Sequence, residues 1–214
     1  MIFRRVRQVS GTDSRGREAP PSRARRWLGR GLMLAAILMA VHAGWLPAKA
    51  ALAQQLLQSS WSARLVDGEA HRPWPGADTH AVARLVQPRL GVDQIVLAGD
   101  SGRPLAFGPG WAEASAAPGS ALGTTIISGH RDTHFAWLRE LRSGDAIQLE
   151  TRRGVREYRV AGMQVVDSRT HRIATDAGHD QLVLVTCWPF DAAAPRGPMR
   201  YVVTLANATS QASS

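Results

Sequence analysis

The 214-residue sequence contains a single cysteine, Cys187. One thiol cannot form an intramolecular disulfide, so no disulfide framework supports this fold. A lone cysteine is either a buried apolar side chain or a reactive thiol, and its neighbours decide between these roles. The sequence also contains no metal-binding cluster, no phosphate-binding loop and no nucleotide fingerprint. It therefore predicts no metal and no cofactor.

Acidic residues are scarce in residues 1–30, which contain nine arginines but only Asp13 and Glu18. The rest of the chain has 17 basic and 15 acidic residues, so most of the net charge of +9 belongs to this leader. A nearly neutral folded part gives no electrostatic reason to expect nucleic acid as a partner. Residues 1–30 are predicted to be a basic cytoplasmic tail, and residues 1–26 of it are predicted to be disordered because large apolar side chains are few there.

Lysine, arginine, aspartate and glutamate are all absent from residues 31–48. A helix over this stretch would span about 27 Å, close to the apolar thickness of a bilayer. The preceding arginines predict a single-pass anchor in the inner (plasma) membrane, with the C-terminal domain outside the cytoplasm, in the periplasm. A cleaved signal peptide is the alternative, because Ala48-Lys49-Ala50 has the small-x-small form of a cleavage site.

The remaining chain divides into three predicted segments. Residues 49–79 predict a juxtamembrane helix, with Leu57 and Trp61 at helical spacing, and then a linker stiffened by the two prolines of HRPWPGAD. Residues 80–207 contain short apolar runs separated by turn residues and predict one globular domain. Residues 208–214 are predicted to be a disordered tail.

Eight runs in the globular segment have the length and composition of β-strands. Several alternate, as where Ile147 and Leu149 would face the core while the residues between and after them face water. Helical spacing occurs in HFAWLREL, residues 134–141. This pattern predicts a mainly β fold, an eight-stranded β-barrel with short helices. The eight runs are AVARLVQ, VDQIVLAG, RPLAFG, TTIIS, DAIQLET, REYRVAGMQVV, QLVLVTC and RYVVTLA.

Three side chains with useful chemistry lie at predicted strand ends. His130 follows TTIIS on a turn marked by Gly129, Cys187 ends QLVLVTC, and Arg200 opens the last run, with Arg196 four residues before it. A thiolate attacks a carbonyl carbon, and an imidazole can take the thiol proton and later protonate the leaving amine. A fixed guanidinium can donate to the oxyanion that forms. These residues are sufficient for amide cleavage through a thioester.

The string LVLVTC resembles the sortase signature TLxTC, with Val183 in place of its threonine, and SGHRDT resembles the sortase histidine motif. The order of histidine, cysteine and arginine matches as well, over about residues 80–206. TCWPFDAAAPRGPMRYVV is most similar to the sortases of Gram-negative bacteria, called class GN. The resemblance implies an eight-stranded barrel and a membrane-anchored cysteine transpeptidase. Such an enzyme cleaves an LPXTG-like C-terminal sorting signal of a protein substrate and transfers the thioester-held acyl group to an amine acceptor.

The predicted catalytic residues are Cys187, His130 and Arg200, with Arg196 as the alternative cation or a substrate-binding residue. Asp132 is predicted to support the histidine loop by hydrogen bonding. Thr186 and Trp188 flank the cysteine and are candidates for substrate binding, with core packing as the other role for the tryptophan.

Two other functions and one metal site are alternatives to the transpeptidase. Water as the acceptor would make the protein a cysteine peptidase that releases its substrate by hydrolysis. A membrane-tethered binding domain without activity would carry an inert Cys187. A metal held by His130 and His134 is disfavoured, because the glutamate of an HExxH motif is absent and Gly129 indicates a turn.

Overall fold

The computed structural model describes residues 23–191 and 197–208. The chain divides into two compact units, Met1–Pro47 and Ala48–Ser214. The first helix, α1, comprises Arg23–Asp67. None of the helices in the described ranges is both long enough and apolar enough to traverse a bilayer. The anchor over residues 31–48 and the other segment boundaries stay predictions.

The last turns of α1 pack on the β-domain of the second unit. Leu57 is fully buried and Trp61 is 4% exposed, in a small apolar cluster that includes Ile95. The helix ends at Asp67, and Gly68 follows with a φ of 84°, the left-handed conformation that glycine adopts without strain. The helical spacing predicted for this part of residues 49–79 brings the buried side chains of Leu57 and Trp61 to one face of α1.

Eight strands form a closed barrel, which confirms the predicted mainly β architecture. Around the barrel the order is β1-β2-β3-β4-β7-β8-β6-β5. The β2–β3 and β4–β7 pairs are parallel, and the other six are antiparallel. The strands are β1 Ala81–Gln87, β2 Val92–Ala98, β3 Gly110–Trp111, β4 Gly123–Ser128, β5 Ala146–Thr151, β6 Gly154–Asp167, β7 Asp180–Cys187 and β8 Met199–Asn207.

The strand predicted at RPLAFG is wrong. Its residues form a short helix, α2, over Pro104–Phe107, and the strand of this region is β3, three residues later. Proline suits the first turn of a helix because the missing N–H has no partner there. Phe107 packs edge-on against Trp74, with 4.8 Å between ring centroids. The helical segment expected at residues 134–141 is a 3-10 helix over Ala136–Glu140.

A hydrogen-bond network centred on a buried carboxylate lies at the start of β7. Asp180 is 6% exposed and accepts hydrogen bonds from Arg156 Nη1 at 2.5 Å, Tyr158 Oη at 2.9 Å and Asn207 Nδ2 at 2.6 Å. The carboxylate thereby joins β6, β7 and β8. Burial, followed by the charge of Asp180, raises the pKa of Tyr158, so the phenol stays a donor.

A second carboxylate stabilises the turn before β5. Asp145 accepts from Arg89 Nε at 3.1 Å, from Arg89 Nη2 at 2.6 Å and from the Arg142 N–H at 2.7 Å. The hydrogen bonds from Arg89 are the main reason that the pKa of Asp145 lies below its usual 3.8. The ionised carboxylate therefore joins the turn after β1 to the turn before β5.

Candidate active site

A cavity of about 240 Å³ opens at one rim of the barrel. Its walls come from the ends of β4 and β7, the start of β8 and the segment between β2 and α2. The lining residues are Asp100, Leu105, Ser128, Gly129, His130, Val185, Thr186, Cys187 and Arg200. The cavity thus contains the three side chains to which the sequence assigns chemistry.

Strand direction explains why these three residues meet. Strands β4 and β7 are parallel and in register, with Ser128 beside Val185, so both end at the same rim. His130 follows β4 by two residues, and Cys187 is the last residue of β7. Strand β8 is antiparallel to β7, and its second residue, Arg200, is the direct register partner of Cys187.

Thr186 connects the cysteine strand to the histidine turn. Its hydroxyl is buried and donates to the Gly129 carbonyl at 2.7 Å, while the Gly129 N–H donates to the Val185 carbonyl at 3.1 Å. These two hydrogen bonds extend the pairing of β4 and β7 beyond the strand end. They fix the residue before His130 against the residue before Cys187.

Gly129 is required by close packing against an aromatic ring. A Cβ at this position would lie 2.7 Å from two ring carbons of Phe135, a contact that side chains do not tolerate. Phe135 itself is fully buried, so the ring cannot move away without disturbing the core. The histidine turn therefore lies directly on the core of the barrel.

Arg131, next to the histidine, joins the two loops of the site. The residue is 3% exposed, and its Nη1 donates to the Pro189 carbonyl in the loop that follows Cys187. Its Nε and Nη2 donate to the carboxylate of Asp132 at 2.7 and 3.1 Å. The hydrogen bonds to Asp132 are the main reason that the pKa of Arg131 is raised. Arg131 thus connects the histidine turn to the loop after the cysteine.

Arg200 is oriented by its own loop. One guanidinium nitrogen, Nη1, donates to the Gly197 carbonyl at 2.8 Å and to the Met199 carbonyl at 2.9 Å. A guanidinium has five N–H donors, so further hydrogen bonds to a substrate carbonyl are compatible with this position. The side chain is half-buried and lines the cavity.

Three aromatic rings form a cluster beside the cysteine. Trp188 stacks on Tyr201 with 5.8 Å between centroids, and Phe190 is edge-on to both rings, at 5.6 Å from Trp188 and 5.3 Å from Tyr201. Trp188 remains 37% exposed, so it is not a core residue and presents an apolar surface at the rim.

The other predicted residues are placed as follows. Asp132 has a 58% exposed side chain and contacts Arg131, which agrees with a supporting position. Arg196 lies outside the described residues. His134 is half-buried, and this burial is the main reason that its pKa is lowered. Within residues 23–191 and 197–208, no three His, Cys, Asp or Glu side chains are grouped as a metal ion would require.

Three polar residues at the site were not singled out from the sequence. Asp100 lines the cavity and accepts a hydrogen bond from Ser128 Oγ at 3.3 Å. Both follow or end a strand, so the strand-end reasoning used for His130 could have included them. Arg131 was visible inside SGHRDT, but its contact with Pro189 depends on a loop 58 residues away.

Comparison with known proteins identifies relatives of this chain. Residues 85–208 match the family model of the Sortase domain. Sortase D of Bacillus subtilis (strain 168) is 30% identical over 117 residues, which are 54% of this chain. The aligned part covers 58% of that relative, so the chain spans less than two thirds of its length.

Solved structures share the same fold. A Sortase D5 transpeptidase of Clostridium perfringens aligns with a TM-score of 0.58 at 19% identity, covering 73% of this chain and 98% of its own. Sortase A of Corynebacterium diphtheriae aligns with a TM-score of 0.55 at 19% identity, covering 87% of this chain and 95% of its own. At such low identity the likeness concerns the fold alone. Membership of class GN stays a prediction.

Proposed function

The chain belongs to the sortase family of cysteine transpeptidases, and from this premise we propose that Cys187 cleaves an LPXTG-like C-terminal sorting signal and transfers the substrate protein to an amine. The observation that carries the proposal is the convergence of Cys187, His130 and Arg200 on one cavity at the barrel rim. His130 and Cys187, which are 57 positions apart in sequence, reach the same cavity because β4 and β7 are parallel.

The proposed reaction has two acyl-transfer steps. The Cys187 sulfur, deprotonated by His130, attacks the carbonyl carbon of the scissile amide to form a tetrahedral oxyanion. Arg200 donates hydrogen bonds to this oxyanion, and the imidazolium protonates the leaving amine as the C–N bond breaks. An amine then attacks the thioester, its proton passes to His130, and the C–S bond breaks to return the thiolate.

The position of Arg131 supports this chemistry. Its guanidinium is fixed by hydrogen bonds to the carboxylate of Asp132 beside the histidine. Because Arg131 also donates to the Pro189 carbonyl, the same side chain holds the loop after the nucleophile. We assign it a positioning role and no proton transfer.

The nucleophile can be tested by trapping the acyl-enzyme. The full chain is incubated with an LPXTG peptide, with and without diglycine, and the products are analysed by mass spectrometry. We expect a thioester adduct on Cys187, and a diglycine-linked peptide when the amine is present. Cys187→Ala should form neither, and since this variant has no thiol left, a remaining adduct would refute the assignment.

The same products distinguish the two acceptors. Release of the hydrolysed peptide at the same rate with and without diglycine would indicate a cysteine peptidase. A Cys187 that forms no adduct and alkylates no faster in the folded than in the denatured chain would favour a binding domain without activity.

We propose Arg200 as the cation that stabilises the oxyanion, in preference to Arg196. Its position opposite Cys187 in the β7–β8 pair supports this choice. Arg200→Lys should lower kcat by about 100-fold or more, as the removal of one oxyanion donor does. Arg196→Lys is the matched variant, and a larger loss there would reverse the assignment.

We further propose that the chain is anchored in the inner membrane with its β-domain outside the cytoplasm. The support is the arginine-rich leader followed by residues 31–48, which contain no charged side chain. Carbonate extraction of membranes tests the anchor, and protease digestion of spheroplasts tests the orientation. Release into the soluble fraction would contradict the anchor, and a β-domain protected in intact spheroplasts would contradict the orientation.

A further inference from the structure

A second cavity, of about 380 Å³, lies in the β-domain unit and shares no lining residue with the Cys187 cavity. Three of its lining residues are the arginines Arg64, Arg152 and Arg153, and His80 lies beside them with a pKa that burial, and then the charge of Arg64, lower. We call it the basic cavity. Trp111 forms part of its wall and provides a flat apolar surface.

The three arginines come from two separate parts of the fold. Arg64 is in the last turn of α1, and Arg152 and Arg153 form the tip of the hairpin between β5 and β6. The Thr151 hydroxyl stabilises this tip, because it accepts from the Arg153 N–H at 3.1 Å and donates to the Gly154 carbonyl at 3.1 Å. The hairpin therefore presents two adjacent arginines from a rigid turn.

The charge of the basic cavity is not neutralised at close range. Two guanidinium atoms of Arg64, Nε and Nη1, are buried and donate to no acceptor in the described part of the chain. No carboxylate within the described ranges forms an ion pair with Arg64, Arg152 or Arg153. Burial, and then repulsion by Arg152, lowers the pKa of Arg64.

Two other features of the fold could compensate the positive charge of the basic cavity, but neither does so at close range. The carbonyls at the end of α1 attract cations, but the buried donors of Arg64 make no hydrogen bond to them. Glu69 and Glu113 interact with Arg64 and His80 only at longer range, and both carboxylates are exposed. Buried donors without partners and like charges placed together both cost free energy, which a bound anion would recover.

We propose that the basic cavity binds a phosphate-bearing ligand through Arg64, Arg152 and Arg153. A guanidinium presents paired N–H donors that match the oxygens of a phosphate, and a phosphomonoester offers three equivalent oxygens and two charges to three arginines. A carboxylate offers two oxygens and one charge. The cavity is within the about 300–1,000 Å³ of small-molecule sites, so it has room for an organic group on the phosphate.

Calorimetry on the full chain in a non-ionic detergent tests the phosphate chemistry. We expect glycerol 3-phosphate and inorganic phosphate to bind and acetate at equal ionic strength to bind much more weakly. Arg152→Gln, in an exposed turn, should weaken binding by about tenfold to a hundredfold, the range for one hydrogen bond to a charged group. Arg159→Gln removes an exposed arginine outside the basic cavity and should leave the affinity unchanged.

The source of the phosphate is tested with monomeric lipids. Tighter binding of dihexanoyl phosphatidic acid than of glycerol 3-phosphate would identify a lipid headgroup, and equal affinity would identify a free phosphomonoester. The proposal would be overturned if neither glycerol 3-phosphate nor dihexanoyl phosphatidic acid binds. It would also be overturned if Arg152→Gln binds phosphate with undiminished affinity, or if acetate binds as tightly as phosphate. Arg152→Gln should keep full thioester formation at Cys187, which separates this test from that of the transpeptidase.

Discussion

The hydroxyl of Thr186 offers a direct test of how the site is held together. Thr186 is 2% exposed, and its hydroxyl donates at 2.7 Å to the carbonyl of the residue before His130. Thr186→Val keeps the shape of the side chain and removes this one donor. A buried carbonyl without its partner costs about 1–3 kcal/mol, so the free energy of unfolding should fall by that amount.

Activity should fall as well, because the lost hydrogen bond connects the histidine turn to the cysteine strand. A displacement of about 1 Å in a reacting group can reduce the rate about 100-fold, and we expect kcat/KM to fall by about tenfold to a hundredfold. Thr186→Ser is the matched control. It keeps the hydroxyl and loses a methyl group worth about 0.8 kcal/mol, so it should be destabilised but close to wild type in rate.

The two variants are compared by urea unfolding and by peptide cleavage at a temperature where both are fully folded. Equal destabilisation with unchanged kcat/KM in both would refute the reasoning, since Thr186 would then support the fold without positioning the site. A rate loss of similar size in Thr186→Ser would also refute it, because the hydroxyl would not be the cause.

Three further changes test other contacts of the domain. Asp180→Asn should lower the free energy of unfolding by about 3 kcal/mol in urea titration, because it removes the charge from a buried carboxylate with three donors; a change below the error of the measurement would contradict the network. Gly129→Ala should lower both Tm and kcat/KM, since the added methyl meets the buried ring of Phe135 at 2.7 Å, and a wild-type Tm would contradict that contact. The pKa of Asp145 is lowered in the folded state, so its contribution with Arg89 is complete above pH 3.8 and is lost as the pH falls below that value. Asp145→Asn should therefore unfold more easily at pH 7 and lose less stability than wild type on acidification, as measured by circular dichroism.

Much of the barrel could be predicted from local patterns. Alternation in AIQLET and the apolar run QLVLVTC correspond to β5 and β7, because a strand repeats its environment every two residues. The strand prediction for RPLAFG was wrong because a run of four to six residues is too short for its periodicity to distinguish a buried strand from a short helix. Strand β3 has only two residues and therefore carries no periodicity.

The residue types required for thioester chemistry are present in sequence order, and the strand-end positions of His130, Cys187 and Arg200 could be inferred from the amino-acid sequence alone. A pattern records the neighbours of a residue along the chain, which is sufficient to propose these three. It does not record the parallel pairing of β4 with β7, because parallel strands meet only through a long connection.

That pairing brings His130 to the rim where Cys187 and Arg200 face each other across β7 and β8. The contact of Arg131 with the Pro189 carbonyl depends on the same pairing, whereas Arg64 meets the Arg152-Arg153 turn because the end of α1 packs on the barrel. Hydrogen bonds and charges act over a few ångströms in space, whatever the distance along the chain. The local chemistry of this protein is therefore readable in its amino-acid order, whereas the contacts that combine it into sites arise from strand pairing and from the packing of α1 on the barrel.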